Sequence, residues 1–384
     1  MFQKFILEIM KYYLIFYFSL LLFSCERNKE EKKFTINYAL ESLNIPISKR
    51  YLNSYQVFNT YQEDNKNKFV SYNRYTHSLN FFNLESGQII SELELEREGP
   101  SGINEILSLY FHNRDSIFIY ERGYLHLMNL EGKKFRSFSL YELFDVEELG
   151  EPNFNFYFKL NFNQENHSSI FYLTQFTDKE SSPKIASLNL KTMELTILPV
   201  KAPIFLSSEE TTGFISYLGF VDYWKGEILY NFQYQSAIFL CNPKDGKIKE
   251  FSGNSEENPS QINLLNINST SDEFDTHAIE NTHFLSVMPD KWRNLVYRFK
   301  WNKPSVKNNE RGFLDKQLSV EVFDQNLRFI SEILLPDYKY QINNFFVNEN
   351  GLYINVAHPK NPNLSDDFLS FHLYKFSNNY EDEN

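Results

Sequence analysis

Residues 78–95 read SLNFFNLESGQIISELEL. Two apolar runs that alternate with polar residues flank a turn built on Asn83 and Gly87. Alternation with a period of two marks a half-buried strand, and Asn with Gly between two such runs marks the turn that joins them. The phrase returns as YLHLMNLEGKKFRSFSL (124–140), KIASLNLKTMELTILPV (184–200), SAIFLCNPKDGKIKEF (236–251) and LSVEVFDQNLRFISEILL (318–335). The turn residues are Asn83, Asn129, Asn189, Asn242 and Asp324. A sixth copy, FLSFHLYKF (368–376), has its first strand and no second.

Two further strands precede each copy. The nearer ones are KFVSYNR, SIFIYER, SIFYLTQ, EILYNFQ, NLVYRFK and GLYINVA; the farther ones are SYQVFNT, NEILSLYFH, FNFYFKLNF, FISYLGFVDY, THFLSVMP and INNFFVN. Four strands per unit and six units describe a β-propeller. The last unit lacks its outer strand, and the chain has one to spare in KFTINYAL (33–40). Pairing the spare with the sixth unit closes the ring and leaves no open edge. The expected fold is therefore all-β, a six-bladed propeller over residues 34–384 closed by an N-terminal strand. Five or seven blades, or a pair of sandwiched sheets, are the other ways to arrange these strands. The wide spacing before Asp324 is assigned to an exposed insertion, NKPSVKNNERGFLDK (302–316).

The N-terminus reads as an address. Residues 12–24, YYLIFYFSLLLFS, form an apolar run too short for a span of about 20 residues and of the right length for the core of a signal peptide. Glu8 is unusual in such a leader, and a start at Met10 gives a tidier one. The run ends LLFSC (21–25), which resembles a bacterial lipobox, with Phe23 as a departure from it. Residues 1–24 are thus expected to be a signal peptide, Cys25 the lipidated residue, and ERNKEEKK (26–33) a polar tether. The expected location is a lipid anchor in the cell envelope, at the outer membrane on its periplasmic or surface side.

Composition excludes one class. The net charge is −12 and no basic stripe is visible, so nucleic acid is not a partner. The second cysteine, Cys241, lies in the apolar run AIFLCNP and is expected to pack as a small buried residue.

EREGPSGINEI (96–106) concentrates two glycines and a proline in a chain with only 13 of each. It falls between the outer strand of unit one and the inner strand of unit two, where a blade-to-blade turn is needed. It lacks the GxxxxGK[ST] pattern of a phosphate loop. Such connections open on the mouth of a propeller, which makes Arg97, Glu98, Ser101 and Asn104 candidate ligand contacts. A second candidate cluster is Asp290, Trp292 and Arg293, because Trp and Arg are favoured at recognition surfaces and the chain has three Trp in all. EREGPSGI and MPDKWRNLVYRF (288–299) resemble stretches of a Bacteroidota lipoprotein family, domain of unknown function 4221. The chain is also similar to six-bladed propeller lipoproteins of those bacteria. The resemblance implies fold and envelope location and brings no activity with it.

Chemical motifs are absent. The eight histidines show no HExxH spacing, and there is no GxSxG elbow or DxDxDG calcium loop. Glu209-Glu210 and Asp366-Asp367 are adjacent, so in a strand they point to opposite faces and do not make an acid–base pair. In four units an aromatic precedes a polar residue at the second strand: Tyr72-Asn73, Tyr120-Glu121, Tyr230-Asn231 and Tyr297-Arg298, read as groups that knit neighbouring strands. No metal or cofactor is expected. The function expected is non-enzymatic binding or scaffolding of a peptide, glycan or envelope protein; the alternative is a propeller-type glycan lyase or hydrolase.

Overall fold

The computed structural model describes residues 35–379 except 153–158, 177–180, 203, 205, 216–218, 254–261, 304–311 and 313–314. The expected signal peptide (1–24), the expected lipidated Cys25 and the expected tether (26–33) lie outside the described residues. Six four-stranded antiparallel sheets are arranged as a six-bladed propeller. Five blades run in chain order from inner to outer strand. Blade one, for example, comprises Phe58–Glu63, Lys66–Asn73, Ser78–Asn83 and Gln88–Glu94. The sixth takes three strands from the C-terminal end and its outer strand, Thr35–Pro46, from the N-terminal end. The closing strand is longer than KFTINYAL suggested. Its inward anchors lie beyond that phrase, at Ile45 and Ile47, while residues 37–42 are exposed. Pro46 is tolerated there because an outermost strand has one side without a ladder.

The second and third strands are sandwiched between neighbouring blades, and their sequences show it. Every residue of Leu295–Trp301, Leu318–Phe323 and Gly351–Asn355 is buried, whereas the outer strands Gln88–Glu94 and Phe329–Leu334 are exposed or half-buried throughout. The core is split into six apolar clusters, one at each junction between adjacent blades. Cys241 is fully buried in the cluster between blades three and four. The cluster between blades six and one joins Ile45 to Phe58, Phe69, Phe82 and Phe371, so the closing strand is packed as well as paired.

The repeated Asn or Asp has one job throughout. The side-chain oxygens of Asn83, Asn129, Asn189, Asn242 and Asp324 each accept backbone N–H groups two to four residues on, at 2.8–3.1 Å. That is the Asx turn, which closes the hairpin between third and outer strands.

In blade three the paired inner-strand residues among those described are Glu151–Pro152, opposite Thr174 and Leu173, and Asn163 then bridges Ser168. Residues 154–158 of the FNFYFKLNF phrase lie outside the described residues. One expectation needs correction: the insertion 302–316 is not exposed at its described end. Lys316 is buried and donates to the carbonyls of Ala278 (3.0 Å) and Asn281. These carbonyls belong to the end of the helix Ser271–Glu280, whose start carries a Thr270–Glu273 capping box. A cation at a helix C-terminus answers the unpaired carbonyls and the dipole there.

Candidate functional site

In an antiparallel four-stranded meander the turns alternate between the two ends of the sheet. Blade-to-blade connections and second-to-third turns therefore share one face of the ring. First-to-second and third-to-outer turns share the other. EREGPSGI is a blade-to-blade connection and DKWR a first-to-second turn, so the two clusters proposed from sequence stand on opposite faces.

On the first face EREGPSGI folds tightly. The Gly102 N–H donates to the Gly99 carbonyl (3.0 Å), and the Ile103 N–H to that of Glu96 (2.9 Å). Gly99 sits at φ +88, and a Cβ on Gly102 would lie 2.8 Å from the Cα of Glu98. Glycine is required at both. Ile103 and Ile106 are buried in the cluster between blades one and two and fasten the turn. Arg97 is thereby left exposed over a cavity of about 480 Å³. Asn104 and Glu105 line it from the same connection, Tyr72, Arg74 and Tyr75 from blade one. Glu98 and Ser101 do not line it; the Ser101 hydroxyl instead accepts the Lys134 N–H at 3.4 Å.

Among the described residues no hydrogen bond or ion pair engages Arg97. The Arg74 guanidinium lies 5.0 Å from the ring centroid of Tyr75, which is 71% exposed. Beneath them the Tyr72 hydroxyl and His77 Nδ1 are 2.7 Å apart. Burial raises the Tyr72 phenol, and the Arg97 charge pulls it back. Burial, then Arg97, lowers the His77 imidazole, which keeps it neutral at pH 7.

On the second face Asp290 and Arg293 are engaged with the protein itself. Asp290 is fully buried and accepts from the backbone N–H of Trp292 (3.1 Å) and Arg293 (3.0 Å), from Arg293 Nε (2.5 Å) and from the Tyr297 hydroxyl (2.8 Å). Arg293 also donates to the carbonyls of Asn348 and Glu349 in blade six. The pair is a clamp between blades five and six, and neither lines a described cavity. Trp292 does line one, a recess of about 260 Å³ that it shares with Lys291, whose ammonium lies 4.7 Å from the indole centroid.

The aromatic–polar pairs knit strands together. Asn231 donates to the Leu285 carbonyl (3.1 Å) on the inner strand of the next blade. Glu121 accepts from the backbone N–H of Asn104 (3.2 Å) and meets His126 Nε2 at 2.8 Å. Ser137 Oγ is 2.8 Å from His126 Nδ1. This Ser–His–Glu chain resembles a hydrolase relay in its connectivity alone, because none of the three lines a described cavity. Among the described residues no group of three or more His, Cys, Asp or Glu is placed to hold a metal.

Sequence reasoning missed the central channel. A cavity of about 260 Å³ is lined by residues from all six blades, including Phe58, Tyr110, Lys159, Asp222, Met288 and Phe345. Lys159 belongs to the phrase FNFYFKLNF and Asp222 to FISYLGFVDY. Each is a lone charge in an inner-strand phrase that is otherwise apolar or neutral, and that was the available signal.

The domain of unknown function DUF4221 matches residues 33–334. The crystal structure of a DUF4221 member from Bacteroides vulgatus is similar to this chain with a TM-score of 0.71 at 20% identity, covering 91% of this chain and 100% of that one. A putative exported protein from Bacteroides fragilis is similar with a TM-score of 0.53 at 12% identity, covering 89% and 95%. At these identities the likeness concerns the fold. No curated protein matches the chain in sequence.

Proposed function

The chain belongs to the DUF4221 family, and from that premise we propose that it is a lipid-anchored cell-envelope propeller that binds an acidic glycan without transforming it. The observation that carries this reading is the uncommitted Arg97 held over the first-face cavity by the EREGPSGI turn. Arg97 and Arg74 give two guanidiniums, which match carboxylates in charge and geometry. The exposed Tyr75 ring offers a flat apolar face to a sugar, and the Asn104 amide offers donors and an acceptor. Even with Glu105 among the lining residues, Arg97 and Arg74 leave this mouth net positive on a chain with net charge −12, which makes it a place where an anion is welcome. The apolar run 12–24 followed by Cys25 supports the envelope anchor, as does the similarity to a protein described as exported.

A second reading has its own observation. Tyr72, His77 and Arg97 are the phenol, the neutral imidazole and the cation that a uronate lyase needs: a base for the proton beside the carboxylate, a partner for it, and a charge to neutralise the carboxylate. The test is one titration with two readouts. Oligogalacturonate is added to the full chain in detergent, following heat by calorimetry and the ultraviolet absorbance of an unsaturated uronate. Heat with no absorbance supports the binder, and a growing absorbance supports the lyase. Arg97→Ala should abolish either signal. Heat from neutral glucan or acidic peptide but none from oligogalacturonate would overturn both readings.

A further inference from the structure

The central channel is a separate recess with an unusual pair of charges. Lys159 reaches across it from blade three. Its ammonium donates to the Phe345 carbonyl (2.7 Å) and lies 4.1 Å and 4.4 Å from the ring centroids of Phe58 and Phe345, on blades one and six. Asp222, on the inner strand of blade four, accepts its own neighbour's N–H from Tyr223 at 2.7 Å. The two line the same cavity but do not form an ion pair. An ammonium has three donors and a carboxylate two acceptor oxygens, so each has capacity beyond its one backbone partner. Charges in such a place normally neutralise each other by direct contact, because burying an unpaired one is expensive. Here the fold holds them apart across an aromatic chamber.

We propose that the channel binds a small zwitterion of the amino-acid or dipeptide class, its carboxylate on Lys159, its ammonium on Asp222, and its apolar side chain among Phe58, Phe346 and Met288. Size sets the class. About 260 Å³ falls just below the ~300 Å³ at which sites for drug-sized ligands begin. Charge sets the polarity, since one cation and one anion in a single apolar chamber match a molecule carrying the opposite pair. Thr60 and Tyr110 line both the channel and the second-face recess that holds Trp292, so the two recesses adjoin. Burial lowers Lys159 to about 7 and raises Asp222 to about 6, and each charge partly offsets the effect on the other.

The test is isothermal titration of the full chain in detergent at pH 6.5 with L-leucine, L-phenylalanine and the dipeptide Leu-Leu. Each is compared with its N-acetylated and its C-amidated form. At least one zwitterion should bind, and each blocking group should weaken it about tenfold or more. In Lys159→Met the C-amide should lose nothing further relative to the free acid, and in Asp222→Asn the same should hold for N-acetylation. Lys159→Arg should retain part of the affinity. Blocked and free ligands are compared on the wild-type protein, so a poorly folded variant cannot hide the answer. Silence from all three zwitterions, or equal binding of free and blocked forms, would overturn the proposal.

Discussion

Ring closure can be tested at one side chain. Ile45 is fully buried in the cluster between blades six and one, where it belongs with Phe58, Phe69, Phe82 and Phe371. Truncating a buried Ile to Ala costs about 2–5 kcal/mol, transfer and cavity together. Unfolding entropy near ~2.1 cal/mol/K per residue gives a domain of this size about 0.7 kcal/mol/K. Ile45→Ala should therefore lower the Tm by roughly 3–7 °C. Glu41, on the same strand, faces solvent and pairs with exposed Lys375 at 2.6 Å, so Glu41→Gln should cost less than about 1 kcal/mol. Deleting residues 35–47 removes Ile45 and Ile47 together and strips the ladder from Phe368–Asn379, which becomes an open edge prone to aggregation. Differential scanning calorimetry of the full-length variants reads all three. If Ile45→Ala melts within about a degree of wild type, or the deletion stays soluble and melts cooperatively at the wild-type temperature, the strand is not what closes the ring.

Other consequences are as direct. Asp290→Ala leaves Arg293 and Tyr297 without their acceptor and should cost about 3–5 kcal/mol, read by chemical denaturation, whereas Trp292→Ala on the same turn should cost far less. Lys159→Met should raise the Tm at pH 6, and the gain should shrink as pH climbs from about 7 towards the ordinary 10.5; the sign follows because a lysine lowered by folding destabilises the native state while protonated and stops doing so once it has lost its proton. Cys25→Ala should release the protein from membranes on fractionation, and a variant that still pellets with them would remove the lipid-anchor reading.

Much of this architecture is legible because propeller strands declare themselves twice, by alternation and by the turn that follows. Asn83, Asn129, Asn189, Asn242 and Asp324 could be aligned by eye since each does the same local job, accepting N–H groups a few residues on. Where local signals stop, so did the reading. Among the described residues the inner strand of blade three pairs at Glu151 and Pro152, upstream of the apolar phrase that pointed to it. DKWR was read for its Trp and Arg as a recognition surface, yet the acid beside them fixes the turn, a fact visible only once Tyr297 and blade six surround it. Arg97 and Asn104 stand out in the sequence because their turn is compositionally odd, and both line the first-face cavity. Lys159 and Asp222 were passed over because no spacing rule links residues on different blades; what joins them is the radius of the ring.

Two buried cations, Arg298 and Lys316, show by contrast why the half-buried Lys159 of the channel calls for a ligand. Arg298 is completely buried, and its guanidinium is answered by Glu321 at 2.7 Å and by the Ser236 carbonyl at 2.6 Å, which knits blade five to blade four. Lys316 is lowered to about 7 by burial, as Lys159 is, but the carbonyls around it are the loose end of a helix that needs a cation. Both have a structural reason to be where they are, and removing either would leave partners stranded. Lys159 has a weaker one. It holds one backbone carbonyl and the faces of Phe58 and Phe345, and the carboxylate that could neutralise it forms no ion pair with it from the next blade. Lowering a lysine from 10.5 to about 7 corresponds to as much as about 5 kcal/mol of lost native-state stability while it stays protonated, and raising Asp222 to about 6 adds to that. Methionine in one position and asparagine in the other would avoid most of this cost at little change in volume. A fold stabilised by a margin of only about 5–15 kcal/mol that keeps both charges facing one cavity is best explained by something that enters the cavity and satisfies them.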